Sequence, residues 1–233
     1  MATHINTQNG QIAETVFLPG DPKRAELIAQ QFLTNIVRYN DVRNMWGFTG
    51  TDHASGKLVS VQGGGMGQPS NGIYISELAK FLGVKKIIRL GTTGSYQENV
   101  KLHDLVIAMG GCTDSGMNRL RFNGMNFAPI ASWNLLYQAF RVAQEMKLNV
   151  HVGNVLGTDF FYDAPYDWKI WARYEVLSVD MEVAELYTLA AFHHIEALSI
   201  CTVSDNLVTG QRLSPEEREL CYPNMVRIAL RLV

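Results

Sequence analysis

The stretch from Val176 to Asp205 constrains the fold of this chain more than any other, because it reads as strand, helix, strand with an acid closing each strand. Leu177-Ser178-Val179 is a short apolar run that delivers Asp180 and Glu182 around Met181. Val183 to Phe192 then places Val183, Leu186, Tyr187 and Ala190 at helical spacing. Leu198 to Val203 is a second continuous apolar run, ending on Ser204-Asp205. That order predicts an α/β protein with both carboxylate clusters at one edge of a sheet, where the crevice beyond the strands' carboxyl ends takes ligands. A single carboxylate there is ordinarily just solvated. Three on one unit, each after an apolar run, point to a polar ligand with several hydroxyl or N–H donors.

Length and composition narrow the rest. At 233 residues the chain fits one large domain, residues 1–233, and no Pro/Gly/Ser linker or charge run divides it. A net charge of −2 leaves no basic footprint, so neither nucleic acid nor an anionic membrane is an expected partner. Cys112, Cys201 and Cys221 lack metal-ligand spacing, and Cys201 is expected to pack as a small hydrophobe. The polar N-terminus and the lack of any membrane-length apolar run predict a reducing, cytoplasmic setting.

Further groups collect after the other strands. Thr15 to Leu18 reads as a strand running into Pro19-Gly20-Asp21-Pro22, with Asp21 as N-cap of a helix that carries Lys23 and Arg24 in its first turn. Such an entry is either a plain turn or an anion site, since it leaves free N–H groups at a helix start. Trp46 to Gly50 reads as a turn toward a strand at Lys57 to Gln62. Gly63-Gly64-Gly65-Met66-Gly67 follows, and a helix from Ser70 to Leu82 is stopped by Gly83. This glycine run matches neither dinucleotide nor Walker A spacing. Arg89 lies inside the apolar strand Val84 to Leu90, where a charge must be paired or used, and Gly91-Thr92-Thr93-Gly94 reads as a turn with donors for an anion. Leu105 to Met109 and Val150 to Leu156 read as strands, Trp133 to Met146 as a helix capped by Ser132, and Thr113 to Asn126 as a loop whose Arg119 and Arg121 are solvated. Phe160-Phe161-Tyr162 is either core or a stacking platform for a planar base. Ser214-Pro215-Glu216-Glu217 opens a last helix that Pro223 should kink, bringing Arg218 within reach of Asp205.

Several of these motifs resemble, in order and over nearly the whole chain, the bacterial-type hexameric purine nucleoside phosphorylases of the nucleoside phosphorylase superfamily. They are Pro19-Gly20-Asp21-Pro22-x-Arg24-Ala25, Asn40-x-Val42-Arg43-x-Met45-x-Gly47-Phe48-Thr49-Gly50, Gly65-Met66-Gly67, Ile88-Arg89-x-Gly91, Val179-x-Met181-Glu182 and Thr202-Val203-Ser204-Asp205. The resemblance implies a mixed central sheet flanked by helices and phosphorolysis of purine nucleosides. It places inorganic phosphate, as co-substrate, among Gly20, Arg24, Arg89 and Thr92, with Arg43 reaching in from a neighbouring subunit. It places the nucleoside among Met66, Thr93, Gly94, Phe161, Val179, Asp180, Met181, Glu182 and Ser204, with His4 of the neighbour on the ribose 5′-hydroxyl. Asp205 is implied as the acid at purine N7 and Arg218 as its partner. The implied assembly is a hexamer built from dimers, and neither a metal nor an organic cofactor is implied.

The chain departs from the family pattern where Asp180 stands in place of the usual Glu, Thr92-Thr93 in place of Ser-Cys, and Asn206 in place of a His after the acid. A carboxylic acid must hold its proton to give it, and a touching arginine favours the ionised form. Arg218 is therefore expected to approach Asp205 as the site closes. Three other readings remain at this level: a superfamily nucleosidase that uses water, a uridine phosphorylase, and a nucleoside-binding protein without turnover.

Overall fold

The computed structural model describes residues 1–7, 11–162, 164–165 and 167–233. Among them the order is β1 (Thr15–Leu18), α1 (Pro22–Phe32), β2 (Leu33–Asn40), β3 (Gly47–Asp52), β4 (Leu58–Gln62), α2 (Gln68–Phe81), β5 (Lys86–Ser95), β6 (Leu105–Thr113), α3 (Gly116–Arg121), α4 (Trp133–Glu145), β7 (Val150–Gly157), α5 (Lys169–Ala172), β8 (Ser178–Asp180), α6 (Val183–His193), β9 (Glu196–Asn206), α7 (Pro215–Leu220) and α8 (Pro223–Leu230). The strands form one sheet in the order β2-β3-β4-β1-β5-β8-β7-β6-β9, and β9 also pairs with β5. That second pairing closes β5, β8, β7, β6 and β9 into a ring. β5 is the hinge of the architecture, parallel to β1 and β9 and antiparallel to β8. The mixed α/β fold expected from the sequence is the one observed.

Alternation along the strands feeds two cores. On β1, Phe17 faces a core shared with α1, α4 and α8, while Val16 and Leu18 face one built with α2 and α6. On β5, Ile88 and Leu90 take the first side and Ile87 the second, so Arg89 projects toward the α2–α6 side. Local chemistry sets the helix ends as the sequence predicts. The Asp21 carboxylate accepts from Lys23 N at 2.8 Å, Ser214 and Glu217 form a reciprocal capping box on α7, and Gly83 follows α2 at φ +72°. The Pro223 break is complete: α7 and α8 are separate helices.

Several expectations are corrected. Gly47–Gly50 is not a turn but the start of β3, and its glycines answer packing: a Cβ on Gly47 would lie 2.5 Å from the Tyr39 ring, and one on Gly50 would lie 2.8 Å from Thr34 O. The Gly91–Gly94 segment is likewise strand, the distal half of β5. β2 was not anticipated; its mostly exposed outer edge lacks an apolar run. The two acid-bearing strands β8 and β9 are not neighbours, because β5 lies between them and they run in opposite senses. Their ends still meet along distal β5, where Val179 and Asp205 both pair with Gly94. The Thr113–Asn126 segment holds the helix α3, and its Arg121 is no free cation: it forks onto the buried Glu185 carboxylate at 2.8 Å through both terminal nitrogens. Ser132 precedes α4, yet its hydroxyl serves β9, accepting from Ala197 N at 2.9 Å.

Candidate active site

Register brings the anion-binding candidates together. Leu18 pairs with Arg89 across parallel β1 and β5, so the Gly20–Arg24 segment leaves β1 beside the Arg89–Thr92 part of β5. The turn lies against the glycine run: Gly65 N donates to Gly20 O at 2.8 Å, and a Cβ on Gly20 would stand 3.0 Å from Gly65 O. Gly65 itself needs φ +75°. Arg24 and Arg89 are both buried, and Arg24 Nε and Arg89 Nη1 have no hydrogen-bond partner among the described residues. Buried guanidinium donors left unmade are costly, and an anion is the group that would satisfy them.

Arg89 is otherwise held by carboxylates. Its Nε donates to Asp180 Oδ2 at 3.0 Å and its Nη2 to Glu182 Oε2. Burial works against the Arg89 charge, but the two acids outweigh it and hold the guanidinium cationic. Burial pushes the Glu182 carboxyl above the usual carboxylate range; Arg89 pulls it down, and the Asp180 charge pushes it up again. Glu182 also accepts from Gly67 N at 2.7 Å, pinning the glycine run over the sheet end. The Asp180 side chain is 1% exposed, and Oδ1 accepts from Glu182 N and Val183 N, both at 3.1 Å, so it caps the start of α6 and faces away from open space. In this structure the shortened acid is bonded to the start of α6 and to Arg89.

The acid candidate sits on the neighbouring strand end. Asp205 Oδ1 accepts from Arg218 Nη2 at 2.6 Å and Oδ2 from Ser204 Oγ at 2.8 Å. Arg218, expected to approach Asp205 as the site closes, touches it in this structure. The two halves of the site are linked directly, because Arg24 Nη2 donates to the Arg218 carbonyl at 3.2 Å. Lys23 pairs with Glu219 at 2.8 Å beside it. Thr93 Oγ1 donates to Val179 O at 2.7 Å, and Ser204 Oγ lies 3.5 Å from Thr93 O, joining β5, β8 and β9 around the acid.

The remaining candidates differ in exposure and in their neighbours. Met66 and Phe161 are exposed, as are Phe160 and Tyr162, which removes the reading of the aromatic run as core. Met181 is half-buried between the two acids. His4 and Arg43 both neighbour Tyr74 of α2. The His4 Nδ1 meets Glu77 Oε1 at 2.8 Å, its ring stands edge-on to Tyr74 at 6.4 Å, and the Arg43 charge reaches the same tyrosine. Sequence reasoning missed Gln68. Its amide donates to Thr113 Oγ1 and Asp159 Oδ1, both at 3.2 Å, tying the glycine run to the segment that bears the aromatics. Its place directly after Gly65-Met66-Gly67 was the available signal. Cys201 is buried, and burial pushes its thiol up to about 11, which suits packing rather than nucleophilic chemistry.

A mixed α/β sheet with unpaired arginine donors and a carboxyl–arginine pair among its strand ends is an arrangement that suits an enzyme using an anion. The sequence profile of the Phosphorylase superfamily matches residues 14–233, and the chain belongs to that family. It is 53% identical to a protein of Thermoanaerobacter sp. (strain X514) over 100% of this chain and 99% of the relative. It is also 53% identical to one of Caldanaerobacter subterraneus subsp. tengcongensis over the whole of both chains. A third, from Clostridium novyi (strain NT), is 50% identical over 100% of this chain and 99% of the relative. All three carry the name purine nucleoside phosphorylase DeoD-type, in line with the resemblance read from the motifs.

Proposed function

We propose that this chain is a purine nucleoside phosphorylase, cleaving purine ribo- or deoxyribonucleosides with inorganic phosphate to free base and (deoxy)ribose 1-phosphate. The observation that carries the reading is the pair of unpartnered donors on buried Arg24 and Arg89, with Arg24 also bonded to the carbonyl of Arg218, the arginine that holds Asp205. Near full-length identity of 50–53% to proteins named for that activity supports it.

In this reading phosphate lies among Gly20, Arg24, Arg89 and Thr92, completed by Arg43 of a neighbouring copy. The nucleoside lies between phosphate and Asp205, its sugar over Met181 and Glu182 and its base against Val179, Thr93, Gly94 and Phe161. Met66 directly precedes Gly67, whose N–H the Glu182 carboxylate already fixes. As the C1′–N9 bond breaks, its electron pair passes to the purine and Asp205 gives N7 a proton. A phosphate oxygen then bonds C1′ of the oxocarbenium-like sugar. The acid removes charge from the leaving group, a contribution of about 10² to 10⁴ in rate, and the arginines hold the anion in line. Arg218 favours the carboxylate left behind. Cations enough for phosphate are present as side chains, so the proposal includes no metal or organic cofactor.

His4 and Arg43 both lie near Tyr74 of α2, and the proposal has both donated to a neighbour's site, with a dimer as the smallest complete unit. A hexamer of such dimers, in the cytoplasm, is part of the same proposal. Among the described residues no helix is long and apolar enough to cross a membrane.

Base release from inosine, adenosine, guanosine, their deoxy forms and uridine, measured with and without phosphate, tests the reading. Phosphate-dependent purine release is expected. Full-rate cleavage without phosphate would make the chain a hydrolase, preference for uridine a pyrimidine enzyme, and tight inosine binding without release a binding protein.

A further inference from the structure

We propose that Asn206 is a positioning residue for the acid: its side-chain amide clamps β9 just past a one-residue bulge at Ser204 that turns Asp205 toward Arg218. The inference rests on Asp205 acting as the acid. It begins with alternation along β9. Leu198 and Ile200 pack into the α1–α4–α8 core, while Ala197 and Val203 pack into the α2–α6 core. Thr202 keeps to the even-numbered side, donating to Cys221 O at 3.0 Å where α7 meets α8. Strict alternation would put Ser204 on that side next and turn Asp205 away from α7.

The ladder breaks that rule at one place. Thr93 pairs with Val203 and Gly94 with Asp205, so Ser204 is an extra residue on β9. The extra residue returns Asp205 to the side of Thr202, where Arg218 meets it at 2.6 Å. Gly94 reports the same direction. A Cβ there, on the side of β5 that carries Ile88 and Leu90, would stand 4.0 Å from Asp205 Cβ.

A bulge leaves the end of a strand free to slip back into register unless something pins it. Asn206 does so with a full set of bonds. Its Nδ2 donates to Gln97 O and Val100 O, both at 3.0 Å, and its Oδ1 accepts from Val208 N at 3.0 Å and Thr209 N at 2.9 Å. The side chain is buried, and Val100 is itself part of the α2–α6 core. Two donors and a doubly accepting oxygen within two carbons of the backbone are what an asparagine amide offers. The residue next to the acid therefore fixes both the sheet behind the acid and the loop beyond it, without facing the substrate.

The test compares inosine, whose N7 must be protonated, with 7-methylguanosine, whose N7 already carries positive charge, in Asn206→Ala and Asn206→Ser. Misplacing a reacting group by about 1 Å can cost about 10²-fold. Asn206→Ala is therefore expected to lower kcat on inosine by about 10- to 100-fold and on 7-methylguanosine by no more than about threefold. Asn206→Ser keeps an acceptor for the loop and one O–H donor but loses the two amide donors, and it should show the same selectivity with a smaller loss. Equal falls on both substrates, or full activity on inosine, would overturn the clamp. If the alanine variant does not fold, the serine variant's substrate ratio decides. Asp205→Asn serves as reference: if it does not separate the two substrates, the acid assignment fails and the clamp falls with it.

Discussion

Replacing Asp180 by Asn tests the scaffold beneath the anion site. The substitution keeps shape and volume, and the amide oxygen can still accept from Glu182 N and Val183 N at the start of α6. The other oxygen becomes an NH₂ group facing Arg89 Nε, donor against donor, at a side chain that is 1% exposed. Losing that charge-assisted bond costs about 1.5–3 kcal/mol. Removing the negative charge from the α6 N-terminus costs about 0.3–1 kcal/mol more. Together these come to about 2–4 kcal/mol, or a fall in Tm of about 4–16 °C for a chain of this size. Arg89 then faces one carboxylate where it had two, so phosphate should bind more tightly as the fold weakens. Calorimetric unfolding combined with the KM for phosphate reads both directions. A Tm within 1 °C of the parent, or weaker phosphate binding, would refute the reasoning.

Phe161→Ala removes a stacking surface and should raise KM for purine nucleosides about 3- to 10-fold with kcat little changed, read from steady-state kinetics across the nucleoside panel. Arg43→Ala and Asp205→Asn should each be inactive on inosine, yet co-expressed chains should recover activity, because a mixed dimer holds one site with neither lesion; no recovery would place Arg43 in its own chain's site. Glu77 links the N-terminal segment to pH. Burial by itself would raise its carboxyl, but the His4 ring and the Thr3 and His4 N–H groups outweigh burial and hold it below the usual carboxylate range. A depressed acid stabilises above its unfolded pKa and loses that contribution as pH falls through the folded value. Hydrogen-exchange protection at Thr3, His4 and Ile5 should therefore persist at neutral pH and disappear below the ordinary value of 4.5.

What could be read from the chain was what its own neighbours in sequence decide. Apolar runs such as Leu198 to Val203 and caps such as Asp21 and Ser214 depend on nearby residues, and both appear in the structure. The glycines misled where packing, not turning, needed them: Gly47 and Gly50 sit inside β3 because Tyr39 and β2 crowd them. Arg89 was legible as a charge that must be used, since an apolar strand cannot hold it unpaired. The partner of Arg121 was not, because Glu185 comes from α6 through tertiary packing. The role of Asp180 was hidden for a related reason. Its position after a strand is the same whether the carboxylate turns outward or back onto the helix it begins, and only the register with Arg89 distinguishes them.

The most direct test of the account follows the sugar. With inosine and phosphate, ³¹P NMR should show one ribose 1-phosphate formed for each hypoxanthine released, and no base should appear when phosphate is left out. Free ribose accompanying the base, at a rate indifferent to phosphate, would contradict the claim that Arg24 and Arg89 hold the attacking anion across the nucleoside from Asp205.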